Sequence, residues 1–341
     1  MSEHSADTER GGGDRSDRTF LRVRMAMRSD VGRVRSENQD FAIVAEGSGT
    51  GADKGDLMVV ADGMGGHKGG ATASRLAATT IRDLYFAAEG HDVSAILRDA
   101  IIQANSVIHQ QAAENEDLEG MGTTASTLVI REGRAWVGHV GDSRIYRIRN
   151  HEIEQITDDH SLVATMVREG LLSPEEAETH PRRNVLQRSM GVSSEVEADV
   201  EGPFDLAPGD RFILCSDGLH GLVSADEISD VVIDNDVERA ADRLIELALD
   251  RGAHDNVTVI VASVETADDS VETSSAAEGD AEDETAVGGA AGRPSSTSPS
   301  MGAGGCLLRT LLIGFSIIAI AGSFFLLVAG DLFASWFLNI P

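Results

Sequence analysis

Four widely separated segments each set an aspartate beside glycine, serine or asparagine: Ala61-Asp62-Gly63-Met64-Gly65-Gly66-His67, Gly141-Asp142-Ser143-Arg144, Ser216-Asp217-Gly218-Leu219 and Asp255-Asn256-Val257-Thr258. Carboxylates with open backbone around them are donors for hard cations, because glycine also lets main-chain carbonyls reach the same ion. Three of the four sit where an apolar, strand-like run meets a turn, so the carboxylate projects from a rigid end. A single Asp-Gly pair is an ordinary turn dipeptide. Four such segments together point to one cluster binding Mg²⁺ or Mn²⁺.

Other chemistries fit poorly. Cys215 lies inside the apolar run Phe212-Ile213-Leu214-Cys215 and Cys306 in a different region, so neither a disulfide framework nor an activated thiol is expected. Gly63 to Gly70 lacks the Gly-x4-Gly-Lys-Ser/Thr spacing of a nucleotide phosphate loop, since Lys68 is followed by Gly69. His160 and His180 have no metal-ligand spacing and read as surface residues.

The elements that must carry the carboxylates are legible as periodicity. Leu21 to Met27 alternates as a half-buried strand, and Asp56 to Ala61 is an apolar run ending at Asp62. Ala71 to Ala88 and Val93 to Ala113 read as helices, the second with Leu97, Ile101, Val107 and Ile108 on its core face. Thr123 to Ile130, Arg134 to Val140, Arg144 to Arg149 and His151 to Ile156 read as a meander of strands, with turns at Glu132-Gly133, Gly141-Asp142 and Asn150. Residues 158–191 lose that pattern and contain the helix start Ser173-Pro174-Glu175-Glu176. Strand Arg211 to Ser216, helices Ala225 to Val232 and Val237 to Arg251, and the β-branched strand Val257 to Val264 follow. Strands and helices segregated in this way belong to the α+β class.

These motifs, in this order, resemble the metal-dependent serine/threonine protein phosphatases of the PP2C (PPM) family in its bacterial form, from about Ser29 to about Ala262. The resemblance implies a four-layer α-β-β-α sandwich of two antiparallel sheets with flanking helices, and a flap-like segment at 158–191. It implies two Mn²⁺ or Mg²⁺ ions, with Asp62 bridging both, the Gly63 carbonyl on one, and Asp217 and Asp255 completing the other. A third, weaker ion would use Asp142. Arg35 matches the family's phosphate-binding arginine, with Arg33 as the alternative on the opposite side of an extended segment. Asp40 would act in the outer shell of the ions, next to Gln39, where many relatives have glutamate. His67 is a further candidate catalytic residue. The implied reaction is hydrolysis of phosphoserine and phosphothreonine in proteins by a metal-activated water, opposing a cognate cytoplasmic Ser/Thr kinase. The alternatives are a catalytically silent, membrane-tethered phosphoprotein-binding module and a regulatory phosphatase dedicated to one switch protein.

The charge and the two ends of the chain set the remaining expectations. A formal charge of −29 repels nucleic-acid backbones and excludes them as partners. Residues 1–19 are polar and charged without an apolar stretch and read as a disordered leader, leaving 20–264 for the phosphatase-like domain. Residues 265–305 are rich in Ser, Gly, Ala and acids, with nine acids and no base between 265 and 285, and read as a flexible linker. Within 306–341, residues 311–330 carry no charge and are long enough to cross a bilayer as a helix. Arg293 and Arg309 precede this stretch and Asp331 follows it. The expectation is therefore a single-pass C-terminal anchor in the cell membrane, with the catalytic domain in the cytoplasm.

Overall fold

The third strand shows why the chain layers as it does. In Asp56–Met64 (β3) five consecutive residues are buried, a pattern that requires cover on both faces. Leu57, Val59 and Ala61 point into a core shared with two helices, whereas Met58 and Val60 point into a second core shared with strands of another sheet. The computed structural model describes residues 21–47, 53–65 and 68–266. The leader, most of the linker, the expected membrane segment, Cys306 and His67 lie outside the described residues.

The β3 sheet runs in the order β2 (Asp40–Ala45), β3, β5 (Ala125–Arg131), β6 (Arg134–Val140) and β9 (Asp199–Asp205), with the two-residue β4 (Gly122–Thr123) pairing beside β3. The facing sheet runs β1 (Leu21–Asp30), β11 (Val257–Thr266), β10 (Arg211–Cys215), β7 (Arg144–Arg149) and β8 (Glu152–Gln155). Neighbouring strands pair antiparallel throughout. Helices α1 (Gly69–Ala87) and α2 (Val93–Glu114) cover the outer face of the first sheet. Short α5 (Asp217–His220), α6 (Ala225–Asp234) and α7 (Val237–Asp250) cover the outer face of the second. Three apolar cores therefore separate four layers, as the resemblance implies.

The start of α7 is written locally: Asp236 caps it by accepting from the Arg239 amide, and Ala240, Ala241, Leu244, Ile245 and Ala248 form its buried stripe. Serines 173 and 224 close capping boxes at the starts of α4 (Pro174–Glu178) and α6. On α2, Leu97, Ile101 and Ile108 are buried as expected. Val107 is exposed, because α2 packs through a narrower stripe that includes the small residues Ala100 and Ala104.

Candidate metal centre and active site

The sheet ladders deliver the carboxylates to one end of the sandwich. Asp40 and Asp62 are direct cross-strand partners at the ends of β2 and β3. Two like charges placed opposite each other are unfavourable unless a cation or a proton lies between them. The Asp62 main chain is fixed further: its amide donates to Thr124 Oγ1 at 2.9 Å, and its carbonyl accepts from the Thr124 amide and from Thr123 Oγ1. The Gly63 amide donates to the Gln39 carbonyl at 3.2 Å. A Cβ on Gly63 would overlap the Gly70 carbonyl oxygen, so only glycine lets the start of α1 close against this strand end.

Asp217 follows β10 through Ser216, which ties three elements together. Ser216 Oγ donates to Asp40 Oδ2 at 2.7 Å and accepts from the Thr258 amide at 3.0 Å, while the Ser216 amide donates to the Thr258 carbonyl. Asp255 precedes β11, and its neighbour Asn256 organises the loop that carries Arg35. The Asn256 amide group donates to the carbonyls of Val31 and Glu37, and its Oδ1 accepts from the Gln39 amide at 2.8 Å. Arg35 Nη2 in turn donates to Asp255 Oδ2 at 2.7 Å, with the Arg35 side chain 50% exposed. Of the two candidate arginines, Arg35 is the one that faces the carboxylates; Arg33 contributes its amide to the Ala253 carbonyl. Ser216 and Asn256 were not singled out from the sequence, although each adjoins an aspartate that was.

Asp142 lies in the turn between β6 and β7, and His220, three residues beyond Asp217, donates from Nε2 to the Asp142 carbonyl at 3.0 Å. Arg144 grips Asp159 through Nε and Nη2. His160, expected at the surface, is only 1% exposed. It is wedged between the Gly141 turn and Asp199, contacts between residues far apart in sequence that leave no local periodic signal. His180 is half-buried, and its Nδ1 accepts from the Arg182 amide.

The electrostatics of the cluster follow from crowding. Burial, then the charge of Asp40, drives the Asp62 carboxyl well above its usual range. Burial raises Asp40 to about 7 against the help of hydrogen bonds from Thr258 and Ser216. Burial, then the Asp217 charge, raises Asp142 to about 7. Asp217 is raised by burial and by Asp255, and its Oδ1 is buried with no hydrogen-bond partner. Among the described residues no three His, Cys, Asp or Glu side chains already converge on one ion position. The fit to divalent cations rests on the donor chemistry: neighbouring carboxylates, Asp40 buried and the others half-buried, that cannot all ionise unaided, one with an orphaned oxygen, beside a glycine carbonyl. Cys215 is fully buried and its thiol is pushed up to about 12 by burial, which rules it out as a nucleophile.

A cleft of about 700 Å³ opens over this cluster, with Asp142, Asp217 and Asp255 on one wall and Val167, Arg168 and Arg183 of the 158–191 segment on the other. That segment contains α3 (Leu162–Arg168) and α4 and forms no strand beyond isolated bridges.

Comparison with known proteins agrees with this architecture. The family described as Protein phosphatase 2C matches residues 33–257. The serine/threonine protein phosphatase PstP of Mycobacterium tuberculosis is 41% identical over 247 residues, which is 72% of this chain and 46% of that protein. This chain thus matches about half the length of that relative. The serine/threonine phosphatase stp of Listeria monocytogenes is 36% identical over 240 residues, 69% of this chain and 93% of that one. A crystal structure of the catalytic domain of PstP in complex with two manganese ions superposes with a TM-score of 0.63 at 39% identity, covering 72% of this chain and 100% of that one. The chain belongs to the protein phosphatase 2C family.

Proposed function

We propose that this protein is a Mn²⁺- or Mg²⁺-dependent protein phosphatase that hydrolyses phosphoserine and phosphothreonine. The observation that carries the reading is the cluster of Asp40, Asp62, Asp142, Asp217 and Asp255, brought close enough from separate elements to perturb the ionisation of Asp62, with Asp142, Asp217 and Asp255 lining the cleft and the half-exposed Arg35 bound to Asp255. Divalent cations at these carboxylates would neutralise the phosphoryl oxygens and supply a water acidic enough to attack at neutral pH. Asp62, the Gly63 carbonyl, Asp217 and Asp255 would hold two ions, and Asp142 a third.

The protein's own groups then position the substrate. Arg35 uses one N–H on Asp255 and keeps the rest of its fork for two phosphoryl oxygens. Asp40, pinned through Oδ2 by Ser216, is oriented to accept hydrogen bonds from waters around the ions. Water adds to phosphorus, the bond from phosphorus to the serine or threonine oxygen breaks, and inorganic phosphate leaves. Arg168 and Arg183 on the far wall offset the acidity of the chain for an anionic peptide. The test is phosphate release from a phosphothreonine peptide with and without Mn²⁺; release that persists undiminished in excess chelator contradicts the reading.

The same reading extends to a cytoplasmic Ser/Thr kinase as the opposing activity and to a membrane anchor at residues 311–330. The anchor is supported by the uncharged twenty-residue stretch with arginines on its N-terminal side. Among the described residues no helix is long and apolar enough to cross a membrane. Fractionation of full-length protein decides the matter: recovery in the soluble fraction without detergent removes the anchor.

A further inference from the structure

His160 is not among the residues needed to bind ions or phosphate, yet its position between two parts of the site is unusually well determined. Its amide donates to the Gly141 carbonyl at 2.7 Å and its Nδ1 accepts from the Gly141 amide at 3.0 Å, so one residue satisfies both main-chain groups of the glycine that precedes Asp142. Because Nδ1 accepts, the ring proton is on Nε2, which donates to Asp199 Oδ2 at 2.9 Å. Asp199 Oδ1 accepts from Arg188 at 2.7 Å, and the His160 carbonyl accepts from the Gln187 amide at 2.8 Å. Gln187 and Arg188 lie where the 158–191 segment returns to the core, and the bridge between Ser161 and Leu186 closes the base of that segment. The His160 ring also packs against His139, centroid to centroid 4.7 Å, and His139 Nε2 lies 3.0 Å from the same Gly141 carbonyl.

The far end of the Gly141-Asp142-Ser143 turn is tied to the sandwich by Thr124 and Ser126 on Ser143 and by His220 on the Asp142 carbonyl, whereas the Gly141 end is tied to His160. Gly141 has φ +114°, and a Cβ there would collide with Thr124, so the turn is pressed onto the start of β5, and both main-chain groups of Gly141 face His160, the carbonyl being shared with His139. Any displacement of the 158–191 segment therefore pulls on Gly141 through His160, and Asp142 is the next residue.

We propose that His160 is a positioning residue that couples the segment forming the far wall of the cleft to Asp142, and so sets the affinity of the divalent cation at Asp142. This rests on the reading of Asp142 as a cation ligand. By linkage, a cation at Asp142 must in turn favour one placement of the segment. The two ring nitrogens have separable tasks. In His160→Asn the side-chain oxygen lies where Nδ1 was and can still accept from the Gly141 amide. In His160→Gln the longer amide reaches toward Asp199 and leaves the Gly141 amide without its acceptor.

The test is Mn²⁺ titration calorimetry of full-length wild-type, H160N, H160Q and D142A proteins, paired with the rate of tryptic cleavage after the exposed Arg182 and Arg183 with and without Mn²⁺. In wild type, Mn²⁺ should slow cleavage and the weakest ion should be lost in D142A. H160Q should weaken that ion on the order of tenfold, the usual effect of removing an outer-shell partner, and should abolish the slowing, while H160N keeps the ion within about threefold of wild type. Equal weakening in H160N and H160Q, which is what a merely structural histidine would produce, overturns the positioning role, as does wild-type behaviour of H160Q. Retention of all ions by D142A overturns instead the reading of Asp142 on which the proposal stands.

Discussion

Asp62 and Asp142 belong to one carboxylate cluster but are held by opposite means. Asp62 is part of a sheet ladder, with Asp40 across from it on β2 and, on its other side, its carbonyl accepting from the Thr124 amide and its amide donating to Thr124 Oγ1. Asp142 sits in a turn whose placement depends on side chains borrowed from elsewhere: His160, His139 and His220. A ladder position survives most side-chain changes around it, because backbone bonds fix it. A turn held by side chains is adjustable, which would suit the weaker, segment-coupled cation site proposed for Asp142 and would not suit the proposed ligand of two ions at Asp62.

The harshest test of this contrast is Asp62→Ala. If Asp62 is the ligand common to two ions, its loss should lower turnover by roughly a thousand-fold or more, the rate equivalent of several kcal/mol of charge stabilisation, while Asp142→Ala has a much smaller effect on turnover at saturating Mn²⁺. The ladder itself should persist, so the far-ultraviolet circular dichroism of D62A should match wild type. Turnover within tenfold of wild type in D62A would erase the distinction between the two carboxylates.

A smaller effect is expected at the edge of the cleft. Arg35→Ala should raise KM roughly ten- to a hundred-fold through loss of a charge-assisted pair with phosphate, whereas Arg33→Ala, which does not face the carboxylates, should leave KM within about twofold. Steady-state kinetics on a phosphothreonine peptide separate the two; the reverse ranking would mean that the extended segment presents its other side to the substrate.

The ladder-held half of the site was also the legible half. Asp62 ends an apolar run that reads as a strand, and Asp217 and Asp255 flank runs that do the same, so local pattern and chemistry coincide. β2 was missed because Asp40 to Ala45 is short and follows a polar loop. β9 was missed because Gly202 and Pro203 interrupt it, which an edge strand beside a register shift tolerates and a central strand does not. The turn-held half depends on His160 meeting Gly141 and Asp199 across 19 and 39 residues. Nothing in the neighbours of His160 encodes that meeting, since the partners are brought together only after the sheets form. Ser216 stands between these cases: a serine between an apolar strand and a metal-type aspartate was a usable signal, and its bond to Asp40 is its structural content.

The last expected effect is on stability, and it sharpens the contrast without touching activity. Burial raises the Asp40 and Asp142 carboxyls from 3.8 to about 7, so the folded metal-free protein binds more protons than the unfolded chain between those values and loses stability as pH rises through them. Buried His139 and His220 act in the other direction: burial lowers both from 6.5 to about 4, so stability rises with pH between about 4 and 6.5. The two contributions oppose each other up to about pH 6.5, and above it only the carboxylate loss remains. In chelator, therefore, the melting temperature should fall by a few degrees between about pH 6.5 and 8, since each kcal/mol is worth roughly 2 to 4 °C in a domain of this size. Saturating Mn²⁺ should abolish or reverse that fall, because bound cations favour the ionised carboxylates. D142N should remove part of the fall while leaving the Asp40 share, since the ladder keeps Asp40 against Asp62 regardless of the turn. A melting temperature independent of pH in chelator would mean that the carboxylates are not crowded as the geometry has them.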